Sequence, residues 1–263
     1  MKHKKKTKFI VHLIFLLCVL SLNLASPLPL VSQGITTVVI DPGHGGIKSG
    51  ATGKFGALEK DVTLAISLKL KSIIERNLAF RVVLTRDRDI DKSLEDRAAI
   101  ANNNKAYLFI SIHANGSYRK NARGSSTYFL SLNATDEEAR RLAYLENNEP
   151  ELEEQISSEQ EDDIKMILWN MAQTAYLKQS SQLAESIQIQ LNSLLKTRNR
   201  GVKQAPFKVL TGVACPAVLV EVAFISNPEE EKQLGTENFQ NNVALAIYNG
   251  LNNFFKQYPN INK

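Results

Sequence analysis

Residues Thr37 to Gly46 read TVVIDPGHGG, and the rest of the chain is organised around them. The β-branched and apolar run Thr37–Ile40 describes a buried strand that ends at the charge of Asp41. Pro42 and Gly43 break the strand, and Gly45 and Gly46 follow His44 at once. An imidazole is thereby set in a tight turn at the C-terminal edge of a sheet, where open α/β sheets bind their ligands. Glycines on both sides remove side chains that would crowd it. A solvent-exposed histidine in a Gly-rich turn has the same local sequence, so the turn alone does not decide. The chain has four histidines, of which His3 and His12 fall in an N-terminal segment with the pattern of a leader. His44 and His113 remain, both at the ends of predicted strands, which suggests a shared site.

Lys2, Lys4, Lys5, Lys6 and Lys8 precede an apolar run from Phe9 to Ala25 and a Pro- and Ser-containing stretch to Gly34. This order predicts a secretory signal peptide over residues 1–34, with Ala25 or Gly34 at the cleavage site. An uncleaved anchor is the alternative, since the run is nearly long enough to span a bilayer. The expected mature chain is exported, without a stable membrane span: periplasmic first, secreted or wall-associated otherwise. The five leader lysines account for the whole net charge of +5, so nothing argues for nucleic acid. Cys18 lies in the leader and Cys215 stands alone, which rules out an intrachain disulfide after cleavage.

Beyond residue 35, short apolar strands alternate with helical patterns. Strands are predicted at Thr36–Ile40, Phe80–Thr85, Tyr107–Ile112, Ser126–Leu132 and Ala217–Val222. Helices are predicted over Glu59–Arg76, around Leu183–Leu194 and over Phe239–Phe254, with a short turn after Asn227-Pro228. The fold class is α/β: one domain over about residues 35–260, with a twisted, mostly parallel sheet and helices on both faces. Residues 133–163 interrupt this alternation with twelve acids against Arg140 and Arg141. They read as an acidic, partly helical insertion, either a solvated loop or a lid attracted to a more basic cleft.

Three further stretches carry chemistry. Glu59 and Asp61 open a helix, where acids also serve the helix dipole. His113 ends the strand LFISIHAN. Glu221 sits inside the apolar strand LVEVAF, where a carboxylate is costly unless paired, protonated or working; a strand-end acid facing solvent is the plain alternative. Two histidines and a carboxylate around one point make a hydrolytic zinc site, and a second carboxylate is the usual general base. Serine catalysis is disfavoured, since no G-x-S-x-G is present.

The set VVIDPGHGG, LEKDVTLAI, VVLTRDRD, LFISIHAN, RGSSTYFLS, RGVKQAPFKVL and PAVLVEVAFISNPEEE resembles the zinc-dependent N-acetylmuramoyl-L-alanine amidases of the amidase_3 type. The resemblance runs from about Thr36 to Phe255. It implies zinc bound by His44, Glu59 and His113, with Glu221 as catalytic base. It also implies hydrolysis of the peptidoglycan amide between N-acetylmuramic acid and L-alanine, in wall remodelling or daughter-cell separation. Arg97 and Asn115 match the family pattern, but ion-pair and turn roles explain them equally well. The stretch SLNATDEEARRLAYLENNEPEL is similar to the regulated periplasmic members, in which an insertion helix blocks the site until an activator protein displaces it. Glu146 is then the first candidate for an autoinhibitory zinc contact, with Glu149 and Glu151 close by. Two other readings stay open at this point: a silent wall-binding protein of the same fold, and a zinc peptidase or deacetylase acting on another amide of the wall.

Overall fold

In the computed structural model, which describes residues 36–119, 121–148 and 163–258, six strands form one sheet. They are β1 (Thr37–Pro42), β2 (Arg81–Leu84), β3 (Leu108–Asn115), β4 (Ser125–Leu130), β5 (Asn199–Ala205) and β6 (Ala217–Phe224), in the spatial order β2-β1-β3-β6-β4-β5. Four of the five pairings are parallel, and β4 against β6 is antiparallel. Every residue of β1, β3 and β6 is buried. That explains why they read as continuous apolar runs, since a central parallel strand is covered on both faces.

The helices are α1 (Glu59–Asn77), α2 (Leu94–Asn103), α3 (Glu137–Asn147), α4 (Asp163–Leu195), α5 (Pro228–Leu234) and α6 (Glu237–Gln257). Strand alternation sorts two cores. Val38, Ile40, Leu108, Ile110, Val218 and Val220 face α1, α4 and α6. Val39, Phe109 and Leu219 face the other way, toward α2, α3 and the turn holding Phe207 and Leu210. On this second face the strand tops carry Asp41, Ser111, His113 and Glu221 in place of hydrocarbon. No helix among the described residues is long and apolar enough to cross a membrane.

The predicted class and nearly all predicted elements are present: one α/β domain with a mostly parallel sheet and helices on both faces. The fourth strand ends at Leu130, leaving Leu132 exposed. Sequence reading missed β5, whose residues NRGVKQA alternate poorly because it is the sheet edge. It also missed α2, a short helix capped by Ser93, whose hydroxyl accepts from the Asp96 amide. The leader lies outside the described residues, as does most of the acidic insertion (149–162). Its described part includes α3, capped by Asp136 and buried at Ala139, Leu142 and Ala143.

Candidate metal centre

His44 stands in the turn after β1 with a positive φ of 58°, a backbone state that the surrounding turn must enforce. Two buried arginines do so. Arg97 donates to the Asp41 carboxylate at 2.7 Å and to the carbonyls of Pro42 and His44. Arg86 donates to the carbonyls of Pro42, Gly43 and Lys60, tying the turn to the first turn of α1. Asp41 also accepts from Thr85 and Ser111. Burial works to raise the pKa of Asp41, but Arg97 and these hydrogen bonds outweigh it and hold the carboxyl below its ordinary value.

Glu59 is the first residue of α1, yet its carboxylate does not cap that helix. It accepts from the backbone amides of Ala51 and Ala114 and lies 3.0 Å from His44 Nε2 and 3.1 Å from His113 Nδ1. Burial pushes its pKa up, while the His44 charge and hydrogen bonds from both imidazoles push harder the other way. It is held well below the usual carboxylate range. From α3, Glu146 brings Oε2 to 3.5 Å from His44 Nε2 and 3.2 Å from His113 Nδ1. Burial disfavours the His113 charge, but Glu146 and Glu59 together hold its pKa well above the ordinary histidine value.

One donor atom from each of His44, Glu59, His113 and Glu146 falls in a set lying within 4.8 Å of one another. Tetrahedral ligands at zinc-like bond lengths stand about 3.4 Å apart. The four histidine–glutamate spacings, 3.0–3.5 Å, suit a small divalent cation, and the whole donor set stays within 4.8 Å. Two imidazole nitrogens and two carboxylate oxygens are also the donor types that zinc accepts.

Glu221 belongs to the same corner through register. It lies opposite His113 across the parallel β3–β6 pair and opposite Ser126 across the antiparallel β6–β4 pair. The side chain is fully buried, and neither carboxylate oxygen has a well-formed hydrogen bond. Burial therefore raises its pKa well above the ordinary value; Glu59 and Glu146 add to the rise, and His113 and the Asn115 amide only partly oppose it.

His44, Glu59, His113, Glu146 and Glu221 thus stand together, while Glu149 and Glu151 lie outside the described residues. Asp41 and Arg86 were missed as supports, although Asp41 carries the same signal as Glu221: a carboxylate in an apolar strand. Arg97 proves to be a buried ion-pair partner that also lines the small pocket beside His44, His113, Leu94, Glu146 and Val209. Cys215 is a small buried side chain whose thiol is pushed up to about 12 by burial.

Gly43 is required by the second histidine rather than by the first. A Cβ there would stand 2.6 Å from the His113 ring. Gly43→Ala is expected to move His113 and weaken zinc binding by roughly 10–100-fold, the usual range for supports of metal ligands. Competition titration against a chelator measures it, and unchanged affinity would contradict the packing argument.

Residues 38–253 match the family model described as Amidase_3, N-acetylmuramoyl-L-alanine amidase. The chain is 39% identical over 230 residues to N-acetylmuramoyl-L-alanine amidase AmiA of Escherichia coli K12, covering 87% of this chain and 79% of that protein. Among solved structures, it is similar to N-acetylmuramoyl-L-alanine amidase AmiC2 of Nostoc punctiforme, with a TM-score of 0.63 and 30% identity over 85% of this chain and 98% of that one. The amidase from Clostridium difficile 630 gives a TM-score of 0.64 at 28% identity, over 84% and 97% of the two chains.

Proposed function

The chain belongs to the Amidase_3 family of N-acetylmuramoyl-L-alanine amidases, and from that premise we propose how its own residues carry out the reaction. It hydrolyses the amide joining N-acetylmuramic acid to L-alanine in peptidoglycan, a step of cell-wall remodelling. The observation that carries the residue assignment is the convergence of His44, Glu59 and His113 on one point, with the fully buried Glu221 carboxyl beside them. Those three side chains would hold zinc. Bound there, zinc supplies Lewis acidity toward the amide carbonyl and lowers the pKa of water.

Glu221 accepts the proton of the attacking water and returns it to the nitrogen of the departing L-alanine. Its burial suits that task, because a carboxylate deprived of solvent is a stronger base than an exposed one. Glu59 is already ionised and anchored by two backbone amides, so it makes a poor base and, with lone pairs to spare, a good ligand. Arg86 and Arg97 hold the backbone from which His44 projects.

Glu146 approaches both histidines, and we assign it as the autoinhibitory contact, one that would occupy the place of substrate. On this reading residues 133–163 form a regulatory insertion, and an activator protein frees the centre by drawing α3 away. Residues 1–34 act as the export signal, and the periplasm is the site of action. Glu146→Ala is expected to raise turnover on purified peptidoglycan by about 5–150-fold, the range of ordinary coupling energies. No rise would remove the inhibitory role from Glu146.

Mass spectrometry of the products tests the bond itself. An amidase liberates stem peptides with a free L-alanine amino terminus. Products lacking that terminus would point to a peptidase or deacetylase.

A further inference from the structure

Arg200 and Lys203 lie on β5 near the centre, and neither has a part in the chemistry above. Strand register fixes their location. Ser126 of β4 stands opposite Glu221, while β4 meets β5 through an irregularity, with Ser125 opposite Asn199 and Thr127 opposite Val202. Arg200 falls within that bulge, two strand spacings or about 10 Å from Glu221. Bulges re-aim side chains. This one brings the guanidinium over the Phe224 ring, 5.1 Å from its centroid, at the end of β6.

Carboxylates of α3 cover both cations. Arg200 Nη2 donates to both oxygens of Glu138, and Lys203 Nζ lies 2.9 Å from Asp136 and 3.8 Å from Glu138. Only 13% and 10% of the two basic side chains remain exposed. The same helix delivers Glu146 to the metal donors. Glu138 precedes Glu146 by two helical turns and a little more, about 12 Å along the axis. A file of carboxylates is thus laid over a file of positive groups, beginning at the reacting point.

A peptidoglycan stem presents charges in a similar order: a scissile amide at the centre, then free carboxylates on its later residues. Extended chain covers about 12 Å in three to four residues. We propose that Arg200 and Lys203 form a carboxylate subsite for the distal stem peptide, held in this state by Glu138 of α3 and its capping Asp136 as stand-ins. The proposal rests on the assignment of the centre to stem cleavage. Exchange of one carboxylate for another never leaves the guanidinium buried and unpaired, which would be the costly alternative. Arg200 offers a planar fork suited to such a ligand.

A plain latch between α3 and β5 has the same contacts, so the test must separate the two. Full-length Glu138→Gln and Arg200→Gln are compared on a muramoyl tripeptide with free carboxyls and on the same compound with its carboxyls amidated. Both changes loosen α3. With a subsite, Arg200→Gln has a KM for the free acid roughly tenfold or more above that of Glu138→Gln, with little change in kcat; this is the scale of one charge-assisted hydrogen bond. The preference for free acid over amide then collapses in Arg200→Gln alone. Calorimetry of the free-acid stem tripeptide against both variants should show the same loss in Kd without any turnover. Equal preference and equal Kd in the two variants would overturn the subsite and leave a latch. Absence of cleavage in both, with the Kd difference preserved, would count against the reaction assignment and keep the subsite.

Discussion

Replacement of Glu221 by glutamine is expected to lower kcat by about 10²–10⁴-fold, the usual worth of a positioned general base, while zinc content stays at the wild-type level. Glutamine has the same shape and cannot accept the proton. His44, Glu59 and His113 have supports other than Glu221: Glu59 is anchored by the Ala51 and Ala114 amides, the His44 turn by Arg86 and Arg97, and His113 Nδ1 meets the anchored Glu59. Turnover on purified peptidoglycan and metal analysis of the same sample measure both halves. Retained activity would remove Glu221 from the reaction. Loss of metal together with activity would make it a ligand or a structural support.

The same substitution has a signature in stability. Burial raises the pKa of Glu221 above its ordinary value of 4.5, so between 4.5 and the raised value the folded protein binds more protons than the unfolded one. Stability of the metal-free protein therefore falls as pH rises through that window, and Glu221→Gln removes the slope. Denaturation midpoints of the metal-free proteins should coincide at acid pH and separate in favour of the variant toward neutrality. The activity profile runs the other way, because the base form accumulates as pH rises.

The second large effect is expected at Asp41. Asp41→Asn leaves the Arg97 guanidinium buried without its counter-charge, which costs about 3–5 kcal/mol in comparable sites. Both side chains are almost wholly covered, so solvent cannot compensate. The sign with pH is opposite to that of Glu221. The Asp41 carboxyl is held below its ordinary 3.8, so its contribution is fully present above that value and is lost as pH falls through the depressed one. Chemical denaturation of wild type and variant from pH 2 to 7 should show the gap closing on the acid side. Asp41→Leu combined with Arg97→Met is expected to recover much of the stability but little of the zinc affinity. The His44 carbonyl loses its Arg97 donor in that pair, whatever the packing regains. Recovery of both would mean that the ion pair serves the fold and not the turn.

The missed pieces share a cause. Strand β5 has only two buried residues of seven, because an edge strand has a neighbour on one side only, and its period-2 signal is weak. Arg86 reads as a surface charge in LTRDRD, yet it is among the largest fully buried side chains. Its solvation is replaced by carbonyls of residues 42, 43 and 60, which no local pattern reveals. Glu59 reads equally well as an acid serving a helix dipole. Only the approach of the Ala114 amide from β3 shows that its carboxylate points away from that helix end.

What the sequence determined by itself is local and periodic: the buried strands, the helix faces, the turn that exposes His44, and the anomaly of Glu221 in an apolar run. Those properties depend on neighbours within a few residues, which is the range over which side-chain alternation and glycine or proline geometry act. Tertiary structure alone decided what stands beside what. Parallel register set His113 level with Glu221, two buried arginines fixed the strained turn, and α3 brought Glu146 to both histidines. These are long-range pairings whose energy comes from desolvated charges meeting one another. No stretch of sequence contains both partners.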